Sequence, residues 1–258
     1  MILRYEHGKL VEQRTYREAL CLESVVSPVI SIVGAGGKTT TVLNLAKEYV
    51  SAEIPVLVTT STHMQIGSEK WFLLEESMDK LQSILKEEGQ VWFGTYAPVK
   101  EPGTVRKMQA VSDSFFRQAY ALQVPMIIEA DGARHLPCKA PGIHEPVLVS
   151  ETTDVLAVYG LDAVGKPIQN CCFRPERVAE VLKKPQSECL TPADIAKLAL
   201  DRSGGRKSVL KNQRYSIILN KADNEERMQS AKHICREISE HEDLNILVTG
   251  HTSEGVRT

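Results

Sequence analysis

The sequence predicts an α/β protein with a mostly parallel sheet and helices on both of its faces. Three observations carry this. Short β-branched apolar runs alternate with stretches of helical periodicity along most of the 258 residues. Several runs are apolar throughout rather than at every second residue, as in strands buried on both faces. The first of them ends in a glycine-rich turn that opens a helix, and sheets of this kind bind ligands beyond the carboxyl ends of their strands. A single α/β domain over residues 1–258 is expected, with residues 1–27 an N-terminal extension or edge element.

Residues 28–33 (PVISIV) form the first strand, and 38–52 a helix with Val42, Leu45, Ala46 and Tyr49 on one face. Residues 55–59 (PVLVT) read as a second buried strand, 78–88 as a helix and 91–95 (VWFGT) as a strand. A helix near 110–122 leads into another buried strand at 125–130 (PMIIEA). Thr191, Pro192 and Asp194 read as an N-cap, a first-turn proline and a first-turn acid. Strands at 154–159, 216–219 and 245–248 complete the set, and 224–241 is a helix with Met228, Ala231, Ile234 or Cys235 and Ile238 along one stripe.

The chain is 42% hydrophobic and 25% charged, ordinary for a globular protein. That excludes a disordered tail, a collagen-like fibre and a disulfide-stapled mini-protein. A net charge of −2 argues against a nucleic-acid binder. Cys21, Cys138, Cys171, Cys172, Cys189 and Cys235 make no C-x-x-C pair, so reduced, mostly buried thiols are expected rather than a zinc site. The first twenty residues are charged throughout, and no apolar run reaches the roughly 18 to 20 residues that span a bilayer. A cytoplasmic protein without membrane contact is expected.

The strongest local signal is Gly34-Ala35-Gly36-Gly37-Lys38-Thr39-Thr40, between a strand and a helix. Glycines let the backbone wrap an anion with its N–H groups inward, and the helix N-terminus adds positive potential. Lys38, expected as a solvent-facing loop cation, can neutralise β/γ-phosphate charge, and the Thr39 hydroxyl can ligate Mg²⁺. The loop is shorter than G-x-x-x-x-G-K-[ST], with Ile32 at the first glycine's position, and resembles the variant of Mur-type ligases. It defines the expected fold more narrowly as a three-layer phosphate-loop NTPase-like domain.

Glu129 and Asp131 end the 125–130 strand two positions apart, on one face of an extended chain. One could hold Mg²⁺, for which Asp131 is the candidate beside Thr39, while the other positions a nucleophilic water. With Lys38 they form the expected catalytic set. Arg134 and Lys139 follow in a loop and could meet phosphate charge, although loop cations are commonly just solvated. Residues 59–64 (TTSTHM) offer four hydroxyls and an imidazole for metal ligation, water positioning or γ-phosphate sensing. Asn220-Lys221-Ala222-Asp223 after a late strand has the N-K-x-D form. The Asp223 carboxylate could accept two hydrogen bonds from guanine, and the Lys221 stem could cover the purine. Residues 248–253 could add backbone contacts to the base. Arg174-Pro175-Glu176 and the His144-Glu145 turn read as local structure.

Taken together, VGAGGKTT (33–40), VTTSTHM (58–64), IIEADGAR (127–134), GLDAVGKP (160–167), CFRPERV (172–178) and LNKAD (219–223) resemble the YqeC family, accessory proteins of selenium-dependent molybdenum hydroxylases. The resemblance implies a role in maturing such a hydroxylase, with the hydroxylase or a cofactor-maturation protein as partner. The residues themselves point to Mg²⁺ with GTP or ATP. An NTPase or a small-molecule kinase- or ligase-like enzyme is expected; the alternative is a nucleotide-regulated switch or chaperone that docks a client.

Overall fold

A computed structural model describes residues 1–98 and 105–251. In chain order the elements are β1 (Ile2–Glu6), β2 (Lys9–Glu12), α1 (Tyr16–Ala19), β3 (Val29–Gly34), α2 (Lys38–Ser51), β4 (Val56–Thr60), β5 (His63–Gln65), β6 (Phe72–Leu73), α3 (Met78–Glu88), β7 (Gln90–Phe93), β8 (Thr95–Tyr96) and β9 (Lys107–Gln109). Then come α4 (Asp113–Tyr120), β10 (Met126–Glu129), β11 (Cys138–Lys139), β12 (Asp154–Gly160), a 3₁₀ turn (Leu161–Ala163), α5 (Ile168–Cys171), β13 (Cys172–Phe173), α6 (Pro175–Leu182), α7 (Pro192–Leu200), β14 (Arg214–Asn220), α8 (Glu225–Ser239) and β15 (Asn245–Thr249).

Ten strands make one sheet in the order β2-β1-β15-β14-β12-β3-β10-β4-β7-β6. From β15 to β6 all neighbours are parallel. In this sheet only the β15–β1 and β1–β2 pairings are antiparallel, and residues 2–12 supply that edge. The mixed α/β class with a large, mostly parallel sheet is therefore as the sequence predicts.

Alternation along the strands divides the core, because successive side chains leave opposite faces. Ile30, Ile32, Ile127 and Val158 pack with Val42, Leu45, Ala46 and Tyr49, the predicted stripe of α2. Val29, Met126 and Ile128 pack instead with Leu81 of α3 and Phe115 of α4. Val155, Ala157, Ile217 and Ile246 pack with α7 and α8 through Ile195, Leu198, Ile234 and Ile238. Fully burying each large aliphatic side chain contributes about 1.5–3 kcal/mol, which fixes the register of every central strand.

Local signals act as read. Thr191 and Asp194 form a reciprocal capping box at α7, with Pro192 in its first turn. The expected 91–95 strand is divided at Gly94, where a Cβ would lie 2.8 Å from the Gln109 carbonyl; residues beyond it join β9 in a separate three-stranded sheet with β5. Cys138, Cys171, Cys172 and Cys235 are buried free thiols, whereas Cys21 and Cys189 are exposed. Among the described residues, no helix is long and apolar enough to cross a membrane.

Candidate functional site

β3 lies in the middle of the sheet, between β12 and β10, so its carboxyl end meets theirs. The chain leaves it at Gly34, turns through Gly36 and Gly37, and enters α2 at Lys38. Gly36 has φ +79°, and a Cβ there would lie 2.4 Å from the Gly160 nitrogen and 2.6 Å from the Pro137 carbonyl. Gly37 has φ +150°, with Asn220 where its Cβ would be. The bend is thus held between two backbones and a side chain, and only glycine fits.

The loop's N–H groups divide into two sets. Gly34 donates to Asp131 Oδ2 at 3.0 Å and Ala35 donates to the Val158 carbonyl at 2.8 Å, so both are spent inside the protein. Among the described residues, the N–H groups of Gly36, Gly37, Lys38, Thr39 and Thr40 have no partner; the first helical bond is Thr41 N–H to the Gly37 carbonyl. Five consecutive open donors at the N-terminus of a helix are an arrangement that can cradle an anion.

Lys38 is not the solvent-facing cation expected. It is buried, donates to the Gly34 carbonyl at 2.7 Å, and its Nζ lies 3.1 Å from Asp131 Oδ1. That ion pair is off the hydrogen-bonding direction, since Oδ1 has no hydrogen-bond donor among the described residues. Asp131 Oδ2 also pairs with Lys139 at 3.0 Å. Lys139 continues to Glu145 at 2.7 Å, and Arg174 holds Glu145 with two bonds of 2.6 and 3.0 Å. A chain of alternating charge therefore runs from the loop to the start of α6. Burial alone would raise the Glu145 carboxyl; hydrogen bonds from Arg174 and Lys139 outweigh it and hold the group at about 2.

Asp131, expected on a metal, thus has two lysines and an amide around it. Glu129 is the freer carboxylate: it is buried, and among the described residues its side chain accepts only from Thr39 Oγ1, at 3.2 Å. Desolvation raises its pKa, with Lys38 opposing and Asp131 adding to the rise. One hydroxyl and one carboxylate suit Mg²⁺, which keeps several waters and takes few protein ligands. Among the described residues, no group of three or more His, Cys, Asp or Glu could hold a metal by itself.

The 59–64 hydroxyls are mostly committed. Thr59 bonds the Phe93 carbonyl, Thr60 the Glu129 carbonyl and Ser61 the Val147 carbonyl. Thr62 Oγ1 is buried without a partner among the described residues, and His63 is exposed. Beyond Thr60 and Ser61 a cavity of about 520 Å³ opens between Phe116, Arg117, Val147 and Glu151. The glycine loop does not line it.

The N-K-x-D segment meets the loop from the far side. Asn220 Nδ2 donates to the Gly36 carbonyl at 2.9 Å, and its Oδ1 accepts from Thr249. Lys221 pairs with Asp162 at 2.8 Å. Asp223 accepts from the His251 N–H at 2.8 Å and pairs with Arg227 at 3.2 Å. Thr252 and Ser253, expected near a base, lie outside the described residues. Sequence reasoning gave Lys139 a phosphate contact or plain solvation, read Glu145 as a local turn and assigned Asp162 nothing, so it missed the ion pairs all three make. No local spacing marks them, because their partners are distant or on other elements.

The fold and this edge define an α/β protein with an amide-lined loop at the carboxyl end of its central strand. The chain belongs to the YqeC family: the family described as YqeC protein matches residues 30–176. It is 27% identical over 218 residues, 83% of this chain and 84% of the relative, to a protein of Escherichia coli (strain K12) named "Uncharacterized protein YqeC".

Proposed function

We propose that this protein binds a Mg²⁺–nucleoside triphosphate on the 36–40 cradle of a single phosphate-loop domain. The observation that carries the reading is the run of five amides, 36–40, that lead into α2 without a partner among the described residues, with Lys38 and the Thr39–Glu129 pair beside it. The amides would bind phosphate oxygens. Lys38 would leave the Gly34 carbonyl to meet β/γ charge, and Thr39 with Glu129 would hold the metal. Mg²⁺ supplies charge neutralisation at the phosphates. Asn220 fixes the bend from behind, and Asp223, by exchanging one present partner, would read a guanine.

Phosphoryl transfer needs mostly positioning and charge stabilisation, both available here. The cavity beside Thr60 and Ser61 leaves room for a small-molecule acceptor, which supports an enzyme. A nucleotide switch is the second reading, supported by Lys38 resting on Asp131, whose release would alter the charge chain. On either reading the activity would serve maturation of a molybdenum hydroxylase, a role that the family resemblance supports.

Calorimetry with ATP, GTP and CTP, each with and without Mg²⁺, tests this. Mg²⁺-dependent triphosphate binding is expected, with GTP preferred and Asp223→Ala eroding that preference. No heat and no shift in melting temperature for any of the three would overturn the assignment. Phosphate release with and without a molybdenum hydroxylase then separates an enzyme from a client-stimulated switch.

A further inference from the structure

Residues 132–136 form an arch whose two feet stand on the glycine loop. One foot is Asp131, which accepts from the Gly34 N–H and pairs with Lys38. The other is Pro137, whose carbonyl accepts from Gly160 and abuts Gly36. At the crest, the Leu136 N–H donates to the Ala133 carbonyl at 3.0 Å, and the two residues between have φ +46° (Arg134) and +62° (His135). Two positive φ values inside a four-residue turn follow the type I′ pattern, where Asn-Gly is the comfortable choice. Arg-His there is strained, and both side chains are exposed, so packing does not demand them.

The guanidinium of Arg134 rests over the Phe173 ring at 5.3 Å. Lys139 and Arg174 approach the same ring, at 5.6 and 4.4 Å. Those two are committed to Asp131 and Glu145. Arg134 has no carboxylate partner among the described residues and sits in the field of two like charges. A cation held on a ring beside other cations lacks an anion, and the arch that carries it stands on the glycine loop at Asp131 and Pro137.

We propose that Arg134 is a γ-phosphate-binding residue: when a triphosphate occupies the loop, its guanidinium leaves Phe173 and donates to the terminal phosphate. This rests on the nucleotide reading above and adds a determinant that tells triphosphate from diphosphate. Planar, two-pronged donation to phosphate is what arginine does and lysine does less well.

The test is calorimetry with a β,γ-imido nucleoside triphosphate and the matching diphosphate, both with Mg²⁺, on wild type, Arg134→Gly, Arg134→Ala and Arg134→Lys. Arg134→Gly and Arg134→Ala should bind the triphosphate analogue about tenfold more weakly or worse, and the diphosphate within about twofold of wild type. Arg134→Lys should recover part of the loss. Arg134→Gly should also melt higher than wild type, because glycine relieves the positive φ. Affinity lost with stability gained separates ligand contact from a structural role. Equal weakening of both ligands, or no weakening, in a wild type that binds the analogue would overturn this proposal alone. A wild type that binds neither ligand would overturn the nucleotide reading and this proposal with it.

Discussion

A buried ammonium beside a buried carboxylate sets the behaviour of Lys38. Removing it leaves Asp131 with Lys139 as its remaining cation at 3.0 Å. Lys38→Ala should therefore abolish triphosphate binding and also cost about 1–3 kcal/mol of stability. Urea midpoints check the second effect, and an unchanged midpoint would mean that the pair contributes nothing to folding. Glu145 gives a pH signature. Its folded value of about 2 lies below its ordinary 4.5, so folding favours the ionised form. Its contribution is complete above pH 4.5 and fades as the pH falls from there towards 2. Glu145→Gln should lower stability at neutral pH and flatten that acid limb; a limb of wild-type steepness in the variant would refute the assignment. Glu129 has the opposite sign. Burial raises it, so ionisation penalises the folded state at neutral pH. Glu129→Gln should melt higher than wild type and lose Mg²⁺-dependent nucleotide binding, and a lower melting temperature would sink this.

At the scale of elements, the join of β3 and α2 is over-determined. Gly36 is closed in by the backbones of Gly160 and Pro137, which cannot swing aside as a side chain could. Gly36→Ala combines that clash with φ +79° and should destabilise by about 3 kcal/mol or more. Denaturant unfolding measures it, and a loss under about 1 kcal/mol would show that the loop yields. The same crowding explains why the bend faces its amides outward. With β12 and Pro137 behind it, the remaining open side is the one at the N-terminus of α2.

Across the whole molecule, the edge next to β15 is closed by β1, with register Ile2 to Thr249, and by β2 beyond it. Met1 also donates to the Gly250 carbonyl at 3.1 Å. Deleting residues 1–13 would bare the ladder groups of a buried apolar strand, Ile246, Leu247 and Val248. The truncated chain should melt lower and aggregate on concentration, as exposed edges do. Light scattering checks this, and a monodisperse truncated protein with unchanged melting would assign the edge's protection elsewhere.

The sequence by itself determined the α/β alternation, the limits of α2, α3 and α8 to within a few residues, the capping box of α7 and the glycine bend. Those rest on local physics: 3.6- and 2-residue periods, caps and φ preferences. Tertiary structure alone decided the partners. Lys38 is buried because Asp131, 93 positions away in sequence, reaches it from just past the end of β10, which lies beside β3. Lys139 and Glu145 became a charge chain because Arg174 approaches from the residue that precedes α6. Residues 1–12 became an edge because β15 offered an open ladder. Long-range electrostatics and strand pairing leave no period in a sequence, so only the folded chain shows which charge meets which.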